Sequence, residues 1–168
     1  DGRMVGHALR RLVGGDLAGL FDGPSTEVFD PTLPMISLDL SRVTENSTLI
    51  SVLMTCSSAW MEAALLDPNG GQRWCVYDEA WRVLAHAHGA IDRLQQQFRL
   101  ARSWGLSNVL VLHNLRDTLN IGAAGSAERN KAESLLALAG TKVIGYQPAK
   151  ELPATTAALD LTQAEADV

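Results

Sequence analysis

The chain has 168 residues, 46% of them hydrophobic and 20% charged, with a net charge of −5. That length supports one domain with a real core, and the composition is ordinary for a soluble globular protein. The acidic balance gives no global attraction to nucleic acid or an anionic membrane, so any such contact requires a local basic patch.

In chain order, Met4, Val5, Ala8, Leu9 and Leu12 recur at a helical period, which predicts a helix over residues 2–13 that Gly14 and Gly15 stop. The start lacks the long apolar segment of a signal peptide, and a chain beginning at Asp1 rather than Met reads as a piece of something longer. "GLFDGPSTEVFDPTLP" predicts loop, and "MISLDL", Met35 to Leu40, a short strand. Ser47 is a predicted cap for a long helix through Leu66, whose apolar positions cover much of its circumference and predict deep burial. Ser51, Thr55, Ser57, Ser58 and Glu62 interrupt that region, so it does not read as a membrane span. Cys56 and Cys75 lie in apolar runs and read as buried thiols in a reducing compartment, with a disulfide as the alternative.

"WCVY" has no polar alternation, which predicts a parallel strand covered on both faces. Helices are predicted from Glu79 to about His88 and from Ala90 to Trp104, the second closed by Gly105. Asn108 to His113 is a second apolar strand, followed by a loop rich in small residues. Ala127 to Ala139 is a predicted helix closed by Gly140, and "TKVIGY" a last strand. Beyond Pro148 and Pro153 the chain reads as loop-rich until Thr162 and Glu165, at capping-box spacing, start a helix. Strands alternating with helices predict an α/β fold, a mostly parallel sheet flanked by helices, with ligands at the carboxyl ends of its strands.

Asp78 and Glu79 stand at such an end, directly after "WCVY". Mg²⁺ prefers hard oxygen ligands and keeps several waters, so one carboxylate, Asp78, suffices to hold it beside the phosphates of ATP. The next residue projects differently, which suits Glu79 to polarise an attacking water. Phosphoryl transfer depends mostly on positioning and charge neutralisation, and this is the Walker B arrangement. The competing reading is a strand end followed by a helix whose acidic N-terminus favours the dipole.

"VYDEAWRVL" resembles the type IV secretion and conjugation ATPases, the VirB-type motors related to the FtsK–HerA translocases. "GGDLAGLFDGPSTEVF" and "MISLDLSRV" before it, and "FRLARSWGLSNVLVLHNLRD", "AGTKVIGYQ" and "LDLTQAEADV" after it, resemble other stretches of that family, in its order. The resemblance implies a partial RecA-like P-loop NTPase core, with residues 1–168 forming a single incomplete domain that lacks the P-loop strand and the C-terminal end. It implies ATP and Mg²⁺ as cofactors and a homohexamer in the full-length form. Its partners would be membrane-embedded secretion channel components, with DNA as a further candidate, at the cytoplasmic, inner face of the cell membrane. No G-x-x-x-x-G-K-[ST] is present, since "LRRLVGGDLAGL" has no Lys-Ser or Lys-Thr pair. The chain alone is therefore expected to be inactive. Where the family commonly places a Gln sensor, this chain has His113 and Asn114. Asn114 would orient the water or His113 contact phosphate, and a strand-end histidine bonded to a loop is the plain alternative. Arg129 and Arg116 flank "NIGAAG" and are the candidates for an arginine acting on a neighbouring subunit.

Arg93, Arg99 and Arg102 read as a solvated helix face that would otherwise meet phosphates. His86 and His88 are two apart on a predicted helix and cannot easily share a metal. Trp60, Trp74, Trp81 and Trp104 read as core or interface anchors. A DNA translocase of the FtsK–HerA type and a non-catalytic α/β assembly module remain the alternative functions.

Overall fold

The computed structural model describes residues 2–15, 17–27, 29–43, 47–65, 67, 70–86, 90–116 and 121–166. Two compact units result, Asp1–Thr44 and Glu45–Val168.

The first unit opens with α1, Gly2–Gly14, the predicted helix extended by one residue. The turn after it leaves no room for a side chain at Gly15. A side chain on Gly15 would sit 2.9 Å from the Arg11 Cα, and the chain turns there so that Leu17 N–H donates to the Arg11 carbonyl at 3.1 Å. The expected strand at Met35–Leu40 does not form. That segment is irregular and mostly exposed, because no neighbouring strand meets its backbone among the described residues. Hydrophobic alternation marks a segment that is able to pair, and pairing needs a partner.

The second unit holds the sheet. Helix α2, Ser47–Leu65, carries several hydroxyls yet packs against its neighbours. Thr55, Ser57 and Ser58 turn their hydroxyls back onto the carbonyls of Ser51, Leu53 and Met54 at 2.7–2.8 Å, so each polar group is satisfied within the helix. Strand β1, Arg73–Tyr77, then leads through a turn into α3, Ala80–His86, and α4, Ala90–Leu100. Strand β2, Leu106–Leu110, pairs with β1 in parallel, from Arg73 opposite Leu106 to Tyr77 opposite Leu110. Helix α4 ends four residues before the expected Trp104, and residues 101–105 form turns. They close at Gly105, whose φ of +61° is open to glycine, and whose carbonyl accepts Arg73 N–H at 2.9 Å. That bond sets the two strand starts level.

Helix α5, Ala127–Leu138, is capped by Ser126, whose side chain accepts Arg129 N–H at 3.2 Å. It is clasped to α4 by Lys131 and Asp92 at 2.7 Å and by Gln95 donating to Ser134 Oγ at 2.5 Å. The expected strand at Thr141–Tyr146 is also absent: Val143 and Tyr146 are 93% and 92% exposed in an unpaired segment. In place of the expected loop after Pro153 stands α6, Leu152–Leu159, with that proline in its first turn and Asp160 closing it at φ +53°. Proline is accepted there because the first-turn N–H has no helical partner to lose. The capping box forms as expected at α7, Gln163–Ala166. Thr162 Oγ1 and N–H both donate to Glu165, and they hold its carboxyl below the ordinary value.

The α/β class therefore stands, with a parallel sheet flanked by helices. Among the described residues that sheet has two strands. One expectation about β1 is corrected. Cys75 and Tyr77 are buried under α2 and α4, with the Cys75 and Met61 sulfurs at 3.8 Å, whereas Trp74 and Val76 are 69% and 59% exposed. Helices cover one face of the strand, so its uniform apolarity does not report two covered faces. Cys56 and Cys75 are both free thiols, Cys75 buried and Cys56 half-buried. His88 and Asp117–Asn120 fall outside the described residues.

Candidate functional site at the carboxyl end of β1

The β1–β2 ladder runs past its last paired residues. Val111 N–H donates to the Tyr77 carbonyl at 2.9 Å, and Ala80 N–H donates to the Val111 carbonyl at 3.1 Å. Asp78 and Glu79 form the turn between those two bonds. The turn inserts an extra residue, so the paired register stops at Tyr77 and Leu110, and Glu79 reaches the segment after β2 through its side chain. Ala80 is fully buried and fixes the turn from below.

Glu79 takes φ +50°, a left-handed conformation that costs a residue with a side chain on the order of 1–2 kcal/mol. With the backbone turned this way, its carboxylate meets two groups. Trp81 Nε1–H donates to Oε2, and His113 Nε2 lies against Oε1. The Glu79 side chain is 35% exposed and that of His113 is 72% exposed. Asp78 is exposed, and its Oδ1 accepts the Glu79 N–H at 3.1 Å. One exposed carboxylate at a strand end fits Mg²⁺, which takes few protein ligands when waters and phosphate oxygens complete its shell. Among the described residues no group of three His, Cys, Asp or Glu side chains is placed to hold a metal by protein ligands alone.

The remaining candidates are engaged elsewhere. Asn114 Oδ1 accepts Arg116 N–H at 2.8 Å, which commits its carbonyl oxygen to a turn. Arg116 Nη2 donates to the Lys150 carbonyl at 2.9 Å, and its Nε lies 2.9 Å from Glu151 Oε2. That oxygen is buried without an aligned donor, so the contact is an ion pair rather than a hydrogen bond. Arg129, in the first turn of α5, pairs with Glu133 one helical turn on at 2.9 Å. Arg93, Arg99 and Arg102 are exposed, and Arg102 lies beyond the end of α4, so Arg99 and Arg102 do not share a helix face. A depression of about 50 Å³ lies between α2, α4 and Tyr77, lined by Met54, Glu62, Leu65, Arg93 and Trp104 among others, and includes none of Asp78, Glu79, His113, Asn114, Arg116 and Arg129.

Asp78, Glu79 and His113 thus come together at one strand end, with Asn114 adjacent in sequence, while Arg116 and Arg129 bond to other elements. Trp81 is the residue that the sequence reading missed. Its one signal was its place two residues after Glu79.

These features define an α/β core with two acids at the carboxyl end of a parallel strand. No family model matches the sequence, and no curated protein matches it. Among solved structures the chain is similar to VirB4 of Thermoanaerobacter pseudethanolicus, with a TM-score of 0.72 and 22% identity. The match covers 99% of this chain and 43% of that one, so this chain spans less than half of the VirB4 length. The likeness is one of fold.

Proposed function

We propose that this chain is part of an ATP-hydrolysing motor that powers type IV secretion or conjugative DNA transfer. The observation that carries this reading is the Asp78–Glu79 pair at the carboxyl end of β1, in a chain whose fold resembles VirB4. Here residues 1–168 belong to a single incomplete RecA-like domain. Asp78 holds Mg²⁺ and Glu79 orients the attacking water. Mg²⁺, when bound, neutralises charge on the β- and γ-phosphates of ATP. His113 and Asn114 occupy the sensor position. Of the two arginines, Arg129 suits a role across a subunit boundary better. Its partner is an exposed neighbour on the same helix, and such a pair is worth only about 0.3–0.5 kcal/mol. Arg116 is tied to Lys150 and Glu151.

The chain has no Lys-Ser or Lys-Thr phosphate loop, so the ATP phosphates need residues from elsewhere in the full-length protein. That protein would act as a homohexamer at the cytoplasmic face of the membrane, docked on secretion channel components, with DNA or protein as cargo. Among the described residues no helix is long and apolar enough to cross a membrane.

ATP turnover by the purified full-length protein tests this reading. Mg²⁺-dependent turnover, reduced at least about 100-fold by Asp78→Asn, is expected. Turnover that Asp78→Asn leaves intact would remove the motor reading and favour the non-catalytic assembly module.

A further inference from the structure

We propose that Trp81 and His113 are positioning residues that hold the Glu79 carboxylate from two sides. The inference rests on the reading of Glu79 as the group that orients water. The two groups come from different elements: Trp81 from the first turn of α3, and His113 from the segment that follows β2. Each engages a different oxygen, Trp81 Nε1–H on Oε2 and His113 Nε2 on Oε1. A glutamate at a turn ordinarily samples several rotamers, and ordering it costs side-chain entropy. Here a two-point hold fixes both the position and the plane of the carboxylate.

The two holders differ in kind. The indole N–H is a donor only and sits on a half-buried ring at the start of a helix, so it gives Glu79 a fixed reference. His113 is 72% exposed and belongs to the strand end facing the same rim, so its contact reports where that strand end stands relative to β1. A carboxylate offers about four lone-pair sites, so these two contacts leave acceptor capacity for water. The left-handed φ of +50° at Glu79 is the backbone side of the same arrangement, in which the side chain lies between Trp81 and His113. His113 therefore acts through Glu79 rather than on phosphate.

Two measurements on the purified full-length protein test the hold. In the first, Trp81→Phe and His113→Ala each lower kcat by about tenfold or more with KM for ATP within about twofold, because a misplaced reacting group costs rate rather than binding. His113→Gln, which still donates through its amide, recovers most of the loss. In the second, with ¹⁵N-tryptophan labelling, the indole N–H proton resonance assigned to Trp81 moves upfield in Glu79→Ala, as expected when a carboxylate acceptor is removed. A Trp81 resonance unmoved by Glu79→Ala overturns the hold, whatever the ATPase assay gives. Wild-type kcat in both Trp81→Phe and His113→Ala, beside an inactive Glu79→Gln, overturns the positioning role while leaving the motor reading in place. A Glu79→Gln protein as active as wild type defeats the motor reading, and with it the positioning role, while the resonance still reads the contact itself.

Discussion

The Tyr77 hydroxyl donates to Gln97 Oε1 at 3.1 Å, which ties the last residue of β1 to α4. Gln97 passes the link on, its Nε2 donating to Asn108 Oδ1 on β2 at 2.5 Å. The residue before the acid pair is thereby fixed from beneath, by a network on the covered face of the strand. Burial, and after it the Cys75 thiol, pushes the Tyr77 phenol far above its ordinary value of 10.0.

That shift has a pH consequence with a definite sign. The folded chain keeps the Tyr77 proton at a pH where the unfolded chain releases it. The contribution is therefore complete below about pH 10 and is lost as pH rises above it, by up to about 1.4 kcal/mol per pH unit. Urea unfolding followed from about pH 8 to pH 11 should show the decline in the wild type. Tyr77→Phe should show a flatter profile over the same window.

Arg73 makes a second testable arrangement. Its guanidinium donates to the carbonyls of Gly70 at 3.1 Å, Asp67 at 2.6 Å and Ala64, so a cation closes the C-terminal end of α2. The helix dipole and the unpaired last carbonyls both favour that placement. A side chain on Gly70 would fall 1.2 Å from the Arg73 guanidinium. Arg73→Ala and Gly70→Ala should each destabilise by about 1–3 kcal/mol, since each removes charged hydrogen bonds. The double variant should cost clearly less than their sum, because both act on one interaction. Additive urea midpoints would contradict this.

Arg116 is expected to behave as a strap. Its partners Lys150 and Glu151 precede α6, so Arg116→Ala should loosen that helix first. Arg116 is partly exposed, so the global loss should stay near 1 kcal/mol. Hydrogen exchange should show the amides of Leu152–Leu159 losing protection while those of β1 and β2 keep theirs. Unchanged protection in α6 would remove the strap.

Much of this was legible in the chain, and the failures have physical causes. Helical period, caps and closing glycines placed α1, α2 and α5 within a residue or two, because those signals are local. The two strands that formed, β1 and β2, are the apolar runs that found each other. Met35–Leu40 and Thr141–Tyr146 have similar composition but no pairing strand among the described residues, and composition does not encode whether a partner is present. The acids at the end of β1 were visible as a pair. Their meeting with His113 was not, since it depends on the register between strands 33 residues apart. Trp81 reads from the sequence as an anchor, and its bond to Glu79 depends on the turn at residues 78–79.

The measurement closest to the central claim is a comparison of ATP binding and ATP turnover in Glu79→Gln of the full-length protein. If Glu79 orients the attacking water, the variant binds Mg²⁺–ATP with an affinity within about threefold of wild type and turns it over at least about 100-fold more slowly. Turnover at the wild-type rate, or a loss of binding equal to the loss of turnover, would contradict the role assigned to the acid pair at the end of β1.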